Sequence, residues 1–252
     1  MPTYALLGYP LSHSFSRKYF TDKFARMGLS ATHRYLNFEL SEIGDFAEQR
    51  IAYPDLKGCN VTIPYKQAVI PFLDSIDPVA ERIGAVNTIT FTDGKTRGYN
   101  TDFIGFRDDL LAQLSVRGRN TDLRGQAALI LGTGGASRAV REALLDLGIR
   151  PQLVSRRRGP DVITYADLDC ELLNAYTLII NTTPLGTYPN TGSAPPLPYS
   201  CLSDRHFCYD LVYNPANTEF MQRAGAQGAE TANGLGMLHL QAEASWNIWN
   251  GE

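Results

Sequence analysis

Apolar positions in the chain gather into short runs that end at glycine or proline, and stretches of helical spacing separate them. Tyr4–Leu7 is such a run, closed by Gly8 and Pro10, and predicts a buried strand. Residues 15–28 take helical spacing and stop at Gly28, residues 32–38 alternate as a strand, and residues 41–51 return to a helix. The heptapeptide LKGCNVT predicts the next strand, with Pro64 in the opening turn of the helix after it. Residues 86–99 are β-rich around Asp93-Gly94, a pair favoured in two-residue hairpin turns. Helical spacing resumes over residues 102–116.

From there the pattern changes. QAALILGTGGASRAVREALLDLG predicts an apolar strand, a glycine-rich turn and a helix; RPQLVS, TLIINTT and HFCYDLVY predict further strands. Strands that alternate with helices imply an α/β class with a parallel sheet, and the main boundary falls near residue 102. Between Arg158 and Tyr176 the chain is too short for a full helix and its connections, so a turn is expected near residues 167–173. A proline-rich loop covers 184–198, and a last helix runs from Leu235 to Trp249.

Composition narrows the function. The 252 residues suit two modest domains or one large one. Net charge is −3, from 23 basic and 26 acidic residues well mixed, so no basic stripe invites nucleic acid. No run of 18 apolar residues offers a membrane span, and the start lacks the basic region of a secretory signal. Cys59, Cys170, Cys201 and Cys208 are scattered, with no C-x-x-C and no His pair beside them; they are expected to be reduced cytoplasmic thiols, with neither a disulfide nor a metal site.

Chemistry enters at five places. Gly132, Gly134 and Ser137 match G-x-G-x-x-small between a strand and a helix, where helix N–H groups can face a pyrophosphate; an ordinary strand-to-helix turn is the plainer alternative. The following strand ends in Ser155, Arg156, Arg157 and Arg158, with none of the acid that would favour NAD. Guanidinium groups there suit a 2′-phosphate and predict NADP(H); a solvated basic loop is the alternative. His13-Ser14-Phe15-Ser16 puts two hydroxyls where they could hold a carboxylate or cap a helix. Alternation sends Asn60 and Thr62 to one face, and Lys66 is expected in the first turn of a helix, an electrostatically poor place for a cation. Asp102, closing GYNTD, is a helix cap or a catalytic acid.

Together S-x-S, N-V-T-x-P-x-K, G-A-V-N-T, N-T-D, G-T-G-G-A-S-R and N-G-L-G-M-L with a following Gln resemble the shikimate dehydrogenase family, in the same order over nearly the whole chain. The resemblance implies an α/β substrate domain (1–101 plus 233–252) and a Rossmann NADP-binding domain (102–232), with the terminal helix packing back on the first domain and the active site between the two. It implies reversible NADPH-dependent reduction of 3-dehydroshikimate to shikimate, in aromatic amino acid (chorismate) biosynthesis, by a cytoplasmic monomer or homodimer. Lys66 and Asp102 would be the catalytic pair. Ser14 and Ser16 would take the substrate carboxylate; Asn60, Thr62, Asn87 and Gln241 the ring hydroxyls; and Tyr213 would face the substrate. Gly132, Gly134, Gly135, Ala136, Ser155, Arg156, Arg157, Thr182 and Leu211 would contact the cofactor, with Gly234 and Met237 near the nicotinamide. Arg17 stands where many relatives have proline, and S-R-R where the family usually has N-R-T, which weakens Ser155. A quinate user with NAD is the nearest rival, against which Ser16 and the arginines speak; an aminoshikimate-type enzyme is another. Retention of Lys66 and Asp102 opposes a non-catalytic NADP-binding protein.

Overall fold

The structure is a computed structural model and describes residues 1–11 and 15–251. The chain divides into two compact units, Met1–Thr101 with Ala242–Glu252, and Asp102–Gln241.

The first unit opens with β1 (Thr3–Gly8), α1 (Phe15–Arg26), β2 (Arg34–Glu39), α2 (Phe46–Ala52), β3 (Leu56–Val61) and α3 (Tyr65–Ala68). It continues with β4 (Ser75–Ile76), α4 (Pro78–Ile83), β5 (Thr88–Thr92) and β6 (Lys95–Tyr99). The sheet order is β2-β1-β3-β5-β6-β4, mixed because the β5–β6 hairpin runs antiparallel beside β3. That hairpin turns at Asp93-Gly94, both at positive φ (51° and 75°), as a two-residue turn between twisted strands needs. β1 is buried along its whole length, and its alternation feeds two cores. Ala5 and Leu7 join Phe46 and Ala80 on one face; Tyr4 and Leu6 join Phe20, Phe24 and Trp246 on the other. α4 went unread in the sequence although its signals are ordinary: Asp77 accepts the Val79 N–H at its start, and Gly84 closes it in the left-handed region.

The second unit holds α5 (Thr101–Val116, from its second residue), β7 (Ala127–Leu131), α6 (Gly135–Asp146), β8 (Arg150–Ser155), β9 (Val162–Thr164), α7 (Cys170–Ala175) and β10 (Leu178–Asn181). β11 (Phe207–Asp210), α8 (Glu219–Gly225), β12 (Glu230–Asn233) and the first turns of α9 (Leu235–Asn250) complete it. All its strands are parallel, in the order β12-β11-β10-β7-β8-β9. This is the doubly wound Rossmann order, whose winding reverses between β7 and β10. The rest of α9 belongs to the first unit, where Trp249 donates its indole N–H to Ile89 O (3.0 Å) and Trp246 stacks obliquely on Tyr4 and Phe24. No helix among the described residues is long and apolar enough to cross a membrane.

Two expectations change. The stretch 156–176 holds a three-residue strand, a single turn and the six-residue α7, more than the one turn foreseen. Cys170 and Cys201 form a disulfide, with Cα atoms 4.9 Å apart, against the expectation of four thiols. They lie 31 residues apart, so no local motif announced the pair; the fold brings the start of α7 beside the turn Tyr199–Cys201. Cys59 and Cys208 stay buried thiols, and burial pushes Cys208 up to about 12.

Candidate functional site

In the first unit the predicted polar residues gather at one edge of the sheet. Register explains it: Asn60 on β3 lies opposite Thr88 on β5, and Thr88 opposite Tyr99 on β6. The hairpin thus returns Asn87, Asn100 and Thr101 to the edge where β3 ends. Val61 N–H donates to Asn87 O (2.8 Å), Asn87 N–H to Tyr99 O (2.9 Å) and Val86 N–H to Lys66 O (2.7 Å). Lys66 is therefore tied by its backbone to the segment that carries Asn87.

A buried network of side chains lies behind that edge. Ser16 hydrogen-bonds the phenol of Tyr35, which donates to Asn60 Oδ1 (2.8 Å). Asn60 Nδ2 reaches Ser245 Oγ (2.9 Å), Thr88 Oγ1 (3.3 Å) and Asn87 O (3.4 Å). Ser245 Oγ also meets Thr88 Oγ1 (2.8 Å) and Thr101 Oγ1 (3.2 Å). Asn87 Oδ1 accepts the Thr101 N–H (2.7 Å), so one opening N–H of α5 is met from a neighbouring strand end. Asn60 and Asn87 are 5% and 3% exposed, their amides engaged with protein; Thr62, Lys66 and Asp102 are half-buried. Ser14 lies outside the described residues. Tyr35, Thr88, Thr101 and Ser245 are given no role in the sequence reading, although Thr88 and Thr101 lie inside G-A-V-N-T and N-T-D; a buried hydroxyl that must find a partner was the available signal.

The electrostatic argument for Lys66 does not hold in its original form. α3 is a single turn of four residues, and so short a helix has no distinct positive end to repel a cation. Asp102 does stand at a real one, in the first turn of the 16-residue α5, where a carboxylate is favoured.

In the second unit Gly132 ends β7 at φ 111°, a conformation open to glycine, and a Cβ there would stand 2.9 Å from Thr182 Oγ1. Thr182 is held by its N–H and hydroxyl to Leu131 O (3.0 and 2.8 Å), across the point where the winding reverses. Gly134 is the N-cap of α6 and, like Gly135 and Ala136, is exposed; α6 has no acid in its first turn. Among the described residues, nothing approaches within 4 Å of where a Cβ on Gly134 or Gly135 would point. Helix N–H groups with open space before them and no internal anion fit a pyrophosphate. Ser155 is half-buried at the end of β8; Arg156 and Arg157 follow it, exposed, while Arg158 pairs with Asp167. Two open guanidinium groups fit a 2′-phosphate.

Further along, Gly234 packs its Cα against the Leu211 carbonyl, Met237 is 9% exposed on α9, and Tyr213 is 41% exposed. Gln241 donates to Leu238 O (2.9 Å). Beneath these lies a second unforeseen network, centred on Asp210. Its Oδ1 accepts from Asn181 Nδ2 (2.9 Å) and Val212 N–H (3.0 Å), and its Oδ2 from Thr218 Oγ1 (2.6 Å). Asn181 Oδ1 in turn accepts from Thr183 N–H and hydroxyl (3.0 and 2.6 Å). One buried acid so joins the ends of β10 and β11. Burial pushes its carboxyl up to about 6 against the opposing hydrogen bonds.

Comparison with known proteins identifies the family. Residues 6–89 match the shikimate dehydrogenase substrate binding domain. The NADP(+) shikimate dehydrogenase of Moorella thermoacetica is 38% identical, over 98% of this chain and 87% of its own. The crystal structure of shikimate 5-dehydrogenase from Thermus thermophilus in complex with NADP(H) and shikimate has a TM-score of 0.82 at 30% identity, over 100% of this chain and 94% of its own. Quinate dehydrogenase from Corynebacterium glutamicum, in complex with NAD, has a TM-score of 0.86 at 25% identity, over 99% and 94%. With relatives this similar along its whole length, the chain belongs to the shikimate dehydrogenase family.

Proposed function

We propose that the chain catalyses reversible NADPH-dependent reduction of 3-dehydroshikimate to shikimate, a step toward chorismate and the aromatic amino acids. The observation that carries this is the full-length likeness to NADP(+) shikimate dehydrogenases, with the polar signature residues in place from Ser16 to Gln241. The first unit is assigned the substrate and the second the cofactor. Gly132, Gly134, Gly135, Ala136, Ser155, Thr182 and Leu211 would hold the cofactor, Arg156 and Arg157 its 2′-phosphate, and Gly234 and Met237 would border the nicotinamide. When bound, the dihydronicotinamide supplies the hydride.

The chain's own part is to place a proton. Lys66 donates a hydrogen bond to the ketone oxygen, offsets its developing negative charge and delivers the proton. Asp102 orients the lysine and the neighbouring hydroxyl. Ser14 and Ser16 take the carboxylate; Thr62, Asn87 and Gln241 take ring hydroxyls, and Tyr213 faces the substrate. Asn60 takes a ring hydroxyl as well, and it also fixes Tyr35 and through it Ser16. The proposed setting is cytoplasmic, where the Cys170–Cys201 bond would meet a thiol-reducing pool.

The test is spectrophotometric. Purified chain with shikimate and NADP⁺ should generate reduced nicotinamide, and faster than with quinate and NAD⁺. No turnover with shikimate would sink the proposal, and a faster rate with quinate and NAD⁺ would turn it toward the quinate enzymes.

A further inference from the structure

Tyr209 is fully buried on β11 and joins three elements at one point. Its ring meets Phe106 of α5 edge to face, with centroids 5.2 Å apart. Its hydroxyl donates to Asp109 Oδ2 on the same helix and receives the backbone N–H of Met237 on α9. Asp109 is 3% exposed, and its other oxygen accepts from Gln113 Nε2 (3.2 Å). The same carboxylate lies against the Cα of Gly236, where a Cβ would collide with it. One turn back along α5, a Cβ on Gly105 would stand 2.7 Å from Met237 O and 2.8 Å from Gln241 N. Two glycines therefore let α5 and the first turns of α9 meet backbone to backbone. Apolar contact alone would tolerate a slide of one helix along the other. Hydrogen bonds through one phenol are directional and do not. Desolvation, and then the Asp109 charge, push the phenol's pKa well up, so Tyr209 stays a donor at any working pH.

We infer that Tyr209 and Asp109 are positioning residues for the reaction: they lock Met237 and Gln241 on α9 against α5, the helix whose first turn holds Asp102. This rests on the roles proposed above for those three residues. Neither Tyr209 nor Asp109 is assigned a contact with substrate or cofactor; both act through α9.

Tyr209→Phe tests it, since it keeps the ring on Phe106 and removes only the hydroxyl. Assays run well below the variant's melting temperature, together with amide hydrogen exchange over residues 235–241. The expected result is exchange about tenfold faster there, kcat lower by about tenfold, and KM for NADP⁺ within about twofold, because α6 and the β8 arginines are untouched. Asp109→Asn, which keeps an acceptor for the phenol, should stay near wild type; Asp109→Leu should behave like Tyr209→Phe. Gly236→Ala displaces α9 without removing a hydrogen-bonding group and should show the same loss of kcat, so a poorly folding Tyr209→Phe still leaves the inference open to refutation. A variant that only melts earlier, with wild-type kcat and KM, would reduce the pair to structure and overturn the inference, as would unchanged exchange over 235–241. If the wild-type chain lacks shikimate turnover, the functional proposal fails instead, and the exchange measurement still tests the lock.

Discussion

Asp210 offers a perturbation whose size follows from the structure. Its carboxyl has no exposed surface, and burial raises it from the ordinary 3.8 to about 6. At about 1.4 kcal/mol per pH unit, that difference corresponds to about 3 kcal/mol. The folded state holds the proton more tightly than the unfolded chain. This stability is therefore full below pH 3.8, is lost as the pH rises through about 6, and stays lost above. Asp210→Asn removes the titration but little else. The amide oxygen still accepts from Asn181 and Val212, and the amide nitrogen donates to Thr218 as the hydroxyl of the protonated carboxyl does. Relative to wild type, the variant should be within about 1 kcal/mol near pH 4 and about 2–3 kcal/mol more stable at pH 7. Other acids, such as Asp122, held down to about 2 by Arg124, contribute with the opposite sign, but they cancel in the difference. The reporter must sit in the second unit, whereas both tryptophans, Trp246 and Trp249, lie in the first. Hydrogen exchange of the β10 and β11 amides, referenced to intrinsic exchange at each pH, reads the right part. Parallel stability curves for variant and wild type between pH 4 and 7 would refute the reasoning.

Arg156→Ala with Arg157→Ala should weaken NADP(H) binding far more than NAD(H) binding, measured by fluorescence titration; equal losses would remove the 2′-phosphate assignment. Lys66→Ala and Asp102→Asn should each lower kcat by about 10²–10⁴-fold with NADPH binding intact, and the double variant should lose far less than the product. Full additivity in that cycle would mean the two act independently. Ser245→Ala should cost about 1–3 kcal/mol, because Asn60, Thr88 and Thr101 lose a shared partner. Urea unfolding followed by the fluorescence of Trp246 and Trp249 measures that loss directly, and an unchanged midpoint would argue against the network's weight.

What the sequence disclosed, and what it withheld, divides along a physical line. Local rules sufficed for the glycine turn at Gly132, the hairpin at Asp93-Gly94 and the apolar strands of the parallel sheet, since each is decided by a few neighbouring residues. They misled at Lys66, where a one-turn helix was credited with a dipole that only a longer one has. They misled again at Cys170 and Cys201, expected as thiols, and were silent on pairings made across the fold, such as Asn60 with Ser245. Yet HFCYDLVY held a clue that went unused. A tyrosine and an aspartate inside an apolar strand cannot be buried without partners, so the run itself demands donors and acceptors from elsewhere. The demand is legible in one stretch of sequence, but its answer is not. Asp210 draws on Asn181 and Thr218 and Tyr209 on Asp109 and Met237, and only the order of strands and helices decides which side chains arrive. Residues whose partners come from several elements are therefore the ones that can hold those elements in register: Asp210 ties the end of β10 to that of β11, and Tyr209 ties β11 to α5 and α9.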